Sequence, residues 1–162
     1  MSAVRRTDEE ILAAYDRCAD AVYRVCRMFL KADSADIMDA FQQTFLKYMV
    51  CPKRFENDEH EKAWLIVTAS NVCRDILRSS WKKKVRLMDE LPQRAAPSDE
   101  DETFRCVTAL PEKYRTAVYL YYYEGYSALE IAKLTGKAES TVYAVLRDAR
   151  KQLKQMLTED EL

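Results

Sequence analysis

The chain has 162 residues, 48% of them hydrophobic and 33% charged. That is enough apolar material for one ordinary domain or two small helical ones, and it excludes wholesale disorder. Two glycines and four prolines leave little for the turns of a many-stranded fold, and a formal net charge of −1 excludes a uniformly basic chain, so any nucleic-acid role must rest on where the charge sits.

Periodicity predicts helices throughout. From Asp8 to about Leu30, Ile11, Leu12, Tyr15, Ala19, Val22, Tyr23, Cys26 and Phe29 recur at spacings of three and four. A second helix starts near Ser34 or Asp36 and carries Ile37, Met38, Phe41, Phe45, Leu46 and Met49. Pro52 and the polar stretch Phe55 to His60 break the pattern. A third helix runs from about Glu61 to Ser79 or beyond, with an apolar stripe of Trp64, Leu65, Thr68, Val72, Ile76 and Leu77. Residues 89–102, with two prolines and six acidic residues against Arg94, read as a linker. Helical patterning resumes near Thr103 and runs to about Leu110. Pro111 then suits the first turn of the next helix, which carries Tyr114, Ala117, Val118, Tyr121 and Tyr122 and ends at Gly125. Ser127-Ala128-Leu129-Glu130 has capping-box spacing and opens a short helix in which Leu129, Ile131, Ala132 and Leu134 are apolar. Thr135-Gly136 forms a turn, and a last helix spans about Glu139 to Leu157. The expected architecture is all-α: one domain over residues 1–88, the linker, and a second domain over 103–162.

A short helix, a glycine turn and a longer helix give the outline of a helix-turn-helix. Val142, Leu146, Ala149 and Leu153 form the stripe that would be buried. The opposite stripe, Tyr143, Arg147, Arg150, Lys151 and Lys154, would face the groove and flanking phosphates, and Glu139, Ser140, Thr141 and Tyr143 lie nearest the base edges. In the first domain Arg74, Arg78, Lys82, Lys83, Lys84 and Arg86 stand against Asp75, with Trp81 among them. Cations interleaved with an aromatic ring suit separated strands, since charge holds the backbone and the ring replaces lost stacking. Trp64 is assigned to the core. On the second helix Asp39 and Gln42, three apart, make a small polar patch beside Phe41 and Phe45.

Five scattered cysteines without a CxxC pair fit buried or half-buried thiols in a reducing cytoplasm. No metal or other cofactor is expected. His60 beside Glu59 and Glu61 in a polar loop does not define an active site, and no phosphate-binding glycine loop is present, so an enzyme is not expected. No apolar run is long enough to cross a bilayer or serve as a signal peptide.

At these residues the chain resembles the small bacterial sigma factors of the extracytoplasmic-function class. Asp39-Ala40-Phe41-Gln42-Gln43-Thr44-Phe45-Leu46-Lys47 is similar to the family's helix for docking on the polymerase clamp, which implies polymerase-binding roles for Asp39, Gln42, Gln43 and Phe45. Lys62-Ala63-Trp64-Leu65 and Ala69-Ser70-Asn71-Val72-Cys73-Arg74-Asp75 resemble its promoter-melting helix, which holds the non-template strand of the −10 element. The resemblance thus implies DNA-binding roles for Asn71, Arg74, Arg78, Trp81, Lys82 and Lys83, with the loop from about Cys51 to Glu61 cradling a flipped base. Leu110-Pro111-Glu112-Lys113-Tyr114-Arg115, Glu124-Gly125-Tyr126-Ser127 and Glu130-Ile131-Ala132 resemble the second domain. Ser140-Thr141-Val142, Leu146, Ala149-Arg150 and Leu153 resemble its recognition helix for the −35 element, which implies DNA contacts from Ser140, Thr141, Tyr143, Arg147, Arg150 and Lys151.

The chain departs from the family at Val67 and Ser70, and at Tyr143, Val145 and Asp148, where basic residues are usual. Ala138 stands where a capping Ser or Thr is frequent, and Thr135 and Lys137 are more polar than usual. Fewer cations imply a weaker, less salt-dependent grip on DNA. The resemblance implies core RNA polymerase, promoter DNA and an anti-sigma protein as partners. Two alternatives stay open at this point: a non-initiating helix-turn-helix regulator, and a sigma-like interaction protein.

Overall fold

The computed structural model describes residues 6–30, 35–84 and 102–160, with residues 80–84, 102–103 and 157–160 described as helical backbone alone. The linker read at 89–102 lies outside the described residues except for Glu102, and so does Arg86. Seven helices and no strand occur among the described residues: α1 (Asp8–Phe29), α2 (Ala35–Val50), α3 (Asp58–Lys84), α4 (Glu102–Ala109), α5 (Glu112–Tyr122), α6 (Ala128–Thr135) and α7 (Glu139–Asp160). They form two compact units, residues 1–98 and 99–162, and no described helix is long and apolar enough to cross a membrane.

In the first unit each of α1, α2 and α3 packs on the other two. Thr7 caps α1 by accepting from the Glu10 N–H at 3.1 Å, and Asp8, Glu9 and Glu10 put negative charge at the positive end of the helix. The core joins Ala14, Cys18, Val22 and Val25 of α1 to Ile37, Ala40 and Tyr48 of α2 and Leu65, Ile66 and Val72 of α3. Each fully buried Leu or Ile here contributes roughly 1.5–3 kcal/mol from area removed from water.

Two expectations about α3 are corrected. The helix begins at Asp58, three residues before the predicted start, because Asn57 accepts the His60 N–H at 2.8 Å and caps it, so His60 lies on the first turn and not in a loop. Leu65 and Val72 of the predicted stripe are buried, but the rest of the buried face is Ala63, Ile66, Ala69, Ser70 and Cys73, whereas Trp64, Thr68, Ile76 and Leu77 are half-buried. Ser70 is inside, its hydroxyl bonded to the Ile66 carbonyl at 2.9 Å, so this position takes nothing from the outer, cationic face.

The second unit packs α7 against α4, α5 and α6 around Val107, Leu110, Val118, Leu120, Ile131, Val142 and Leu146. Pro111 is the N-cap of α5, one position before the predicted first turn, and Tyr126 N–H closes back on the Leu120 carbonyl at 3.0 Å. Of the tyrosines on and after α5, Tyr114, Tyr119 and Tyr126 are buried, while Tyr121 and Tyr122 are exposed. Leu129 is also exposed, so α6 packs through Ala128, Ile131 and Ala132. Cys18, Cys26, Cys73 and Cys106 are buried and Cys51 is half-buried, and none of them is in a disulfide.

Candidate nucleic-acid and partner interfaces

The polar patch of α2 is presented as a surface by its apolar partners. Ala40, Phe41, Thr44 and Phe45 turn inward, which leaves Asp39, Gln42 and Gln43 exposed one turn apart. Phe41 and Phe45 lie 5.1 Å apart, and Tyr15 of α1 packs on both at 5.8 and 5.3 Å. Phe45 is 8% exposed, so of the four residues for which the resemblance implies docking it lies beneath the other three. Met38, Leu46 and Met49 of α2 are exposed, as are Leu12 and Tyr23 on α1, a set of apolar side chains that periodicity had assigned inward, and Val50 at the end of α2 is exposed as well.

On α3, Asn71, Arg74 and Arg78 follow one another at spacings of three and four, a single stripe. Arg74 donates to the Asn71 side-chain oxygen at 3.3 Å and lies 5.4 Å from the Phe29 ring, which aligns its guanidinium along the helix. Arg78 is exposed and 3.8 Å from Asp75, a pair too wet to fix it. The backbone of α3 carries Trp81, Lys82, Lys83 and Lys84 further along the helix, with their side chains outside the described residues.

The loop of residues 51–57 borders an open cleft of about 260 Å³ lined by Arg6, Glu10, Ala13, Arg17, Tyr48, Arg54, Phe55 and Glu61. The cleft holds a network that sequence inspection does not find. Glu61 accepts from Arg17 through one oxygen and from the Tyr48 hydroxyl, at 2.9 Å, through the other. Burial, then the hydrogen bond to Glu61 and its charge, push the Tyr48 hydroxyl up to about 12. Burial lowers the Arg17 pKa, but the bond to Glu61 and the charges of Glu61 and Asp58 outweigh it, so the guanidinium holds its proton more tightly than usual. Phe55 lies 5.8 Å from Trp64, and Tyr48 lies 6.3 Å from it, so the half-buried tryptophan joins the aromatic floor of this loop.

The helix-turn-helix forms as predicted at its centre. Ser127 accepts from the Glu130 N–H at 3.1 Å while Glu130 accepts from the Ser127 N–H at 3.2 Å, completing the capping box. Gly136 ends α6 at φ 71°, a left-handed conformation in which a side chain would be strained. Val142, Leu146 and Ala149 are buried and Leu153 half-buried, which turns Ser140, Thr141, Tyr143, Arg147, Arg150 and Lys151 outward. Arg147 lies 3.6 Å from Asp148, which offsets part of its charge. Arg150 donates to the Tyr122 hydroxyl at 3.4 Å, and this bond keeps its pKa above the usual value. Tyr122 thus touches a predicted DNA-facing residue from another helix, a long-range contact with no signature in the sequence.

Comparison with known proteins divides the chain in the same order. Residues 14–83 match the family Sigma-70 region 2 and residues 101–153 match Sigma-70, region 4. The RNA polymerase sigma factor SigV of Bacillus subtilis is 26% identical over 146 residues, 86% of each chain. The RNA polymerase sigma factor CarQ of Myxococcus xanthus is 30% identical over 132 residues, 76% of each chain. Among solved structures, the sigma factor RpoE in complex with the anti-sigma factor NepR from Bartonella quintana has the same fold, with a TM-score of 0.71 at 19% identity over 91% of this chain and 96% of that one.

Proposed function

The chain belongs to the sigma-70 family of RNA polymerase sigma factors, in its extracytoplasmic-function class, and on that premise we propose that its two units divide the work of opening a promoter. It is a non-enzymatic factor that directs core RNA polymerase to promoters for transcription initiation. In our reading the first domain, residues 1–88, docks on core polymerase by Asp39, Gln42 and Gln43, with Phe45 holding that face in register. Asn71, Arg74 and Arg78, followed by Trp81, Lys82 and Lys83, then take the non-template strand of the −10 element. The second domain, residues 103–162, reads the −35 duplex through Ser140, Thr141, Tyr143, Arg147, Arg150 and Lys151.

The observation that carries this reading is the separation of the two faces in the first unit. Asp39, Gln42 and Gln43 lie on α2 and the stripe of Asn71, Arg74 and Arg78 on α3, and this placement on different helices of one core supports separate contacts to polymerase and to DNA. Binding to the separated strand then offsets the pairing and stacking lost on opening. An anti-sigma protein is a further proposed partner, supported by the NepR-bound RpoE of the same fold. The cytoplasm, where polymerase works, is the proposed location. Reversing the charge of Arg74, Arg78 and Lys82 together is expected to weaken open-complex formation by at least about tenfold while core binding changes little. Equal loss of both, measured by strand-opening footprints and core pull-down, would overturn the division of labour.

A further inference from the structure

The loop of residues 51–57 is fastened by a residue far from it in sequence. Arg6, which precedes α1, is 8% exposed. Its Nε donates to the Tyr48 carbonyl at 2.9 Å and its Nη2 to the Lys53 carbonyl at 2.6 Å. The same guanidinium lies 4.2 Å from the Tyr48 ring centroid and 5.3 Å from that of Phe55. One planar cation therefore grips the last turn of α2, a carbonyl inside the loop, and the loop's aromatic residue. Charge-assisted bonds from a rigid fork are the strong and directional kind. A second strap, Arg54 to Glu10 at 3.2 Å, is solvent-exposed and fixes less. The guanidiniums lining the cleft bond to protein partners, Arg6 to carbonyls, Arg17 to Glu61 and Arg54 to Glu10, so the cleft works as a clasp.

We propose that Arg6 is a positioning residue for promoter opening: it clasps the 51–57 loop to the end of α2, so that the loop meets the separated strand already in one conformation. This rests on the reading of the first unit as the −10 domain. A loop ordered beforehand loses less entropy on binding, and it discriminates better because a wrong base cannot be met by rearrangement. Arg6 itself need not touch DNA, since its fork is spent on the protein.

The test compares the full chain, Arg6→Gln and Arg6→Lys, each assembled with core polymerase. The strand probes are single-stranded non-template oligonucleotides taken from promoters that the wild-type holoenzyme opens, together with single-base variants of them. In Arg6→Gln the backbone amides of Cys51 and of residues 53–57 are expected to exchange about tenfold faster. The preference for the native base over its substitutes should fall by a similar factor, with core affinity held within about twofold. Taking the ratio between oligonucleotides cancels the general electrostatic loss of one cation. Arg6→Lys should recover part of both effects, because an ammonium reaches one carbonyl but cannot fork across two. A loosened loop with base preference intact would overturn the proposal, as would equal loss of strand and core binding, the sign of a merely structural role. If the wild-type holoenzyme opens no promoter, the −10 reading fails and this proposal with it. A wild type that discriminates, matched by an Arg6→Gln variant that does so equally well, removes Arg6 alone.

Discussion

Glu61 is the carboxylate at which three helices of the first unit meet. It belongs to the first turn of α3, holds Arg17 of α1, and accepts from Tyr48 at the end of α2. Its charge also bears on Cys18, whose thiol burial and then Glu61 push up from 9.0 to about 11. Tyr48 is raised in the same sense, from 10.0 to about 12, while Arg6 and Arg17 oppose the shift. For both groups the folded state holds the proton more tightly than the unfolded chain. Their contribution is therefore fully present below pH 9 and is lost as pH rises through 11 to 12, roughly 2 kcal/mol each and less than additive because both face Glu61. Urea midpoints of the first unit's transition should thus fall between pH 8.5 and about 11, and Cys18→Ala should remove part of that fall. A midpoint independent of pH over this window would contradict the assignment.

At the scale of elements, the two helices of the helix-turn-helix begin differently. α6 has a complete capping box, whereas α7 starts after Ala138, whose carbonyl accepts the Val142 N–H but whose side chain caps nothing. Ala138→Ser is expected to stabilise the second unit by about 1 kcal/mol, read as a higher melting temperature. A change within error would mean that the start of α7 is held by packing alone. The capping box, the glycine turn and the buried stripe of α7 were legible because each is local chemistry at fixed spacing. The buried face of α3 was legible only at Leu65 and Val72. This helix packs against both α1 and α2, so its apolar arc is broad, and the stripe through Trp64 and Thr68 competes with the one through Ile66 and Ala69. The exposure of Met38 and Leu46 was missed for a related reason: periodicity finds an apolar side chain and does not say whether its own core or a partner covers it. Arg6 was invisible altogether, because its partners are backbone carbonyls 42 and 47 residues away.

Across the whole molecule, a net charge of −1 coexists with two local cationic stripes, one on α3 and one on α7. Such a distribution favours contact at chosen faces over adhesion to any nucleic acid. The two-unit organisation follows from helices that close two separate cores, and its order along the chain was readable from the motifs because sequential helices pack as neighbours. What composition could not supply was which side chains of α2 and α3 the three-helix core leaves outside, the exposure on which the proposed faces for polymerase and for DNA depend. The most direct test of the account is transcription from a library of randomised promoters by purified core polymerase, with and without this protein. Start sites that depend on the protein, enriched for a −10 and a −35 element at fixed spacing, are the expected result. A start-site pattern unchanged by the protein would contradict the central claim.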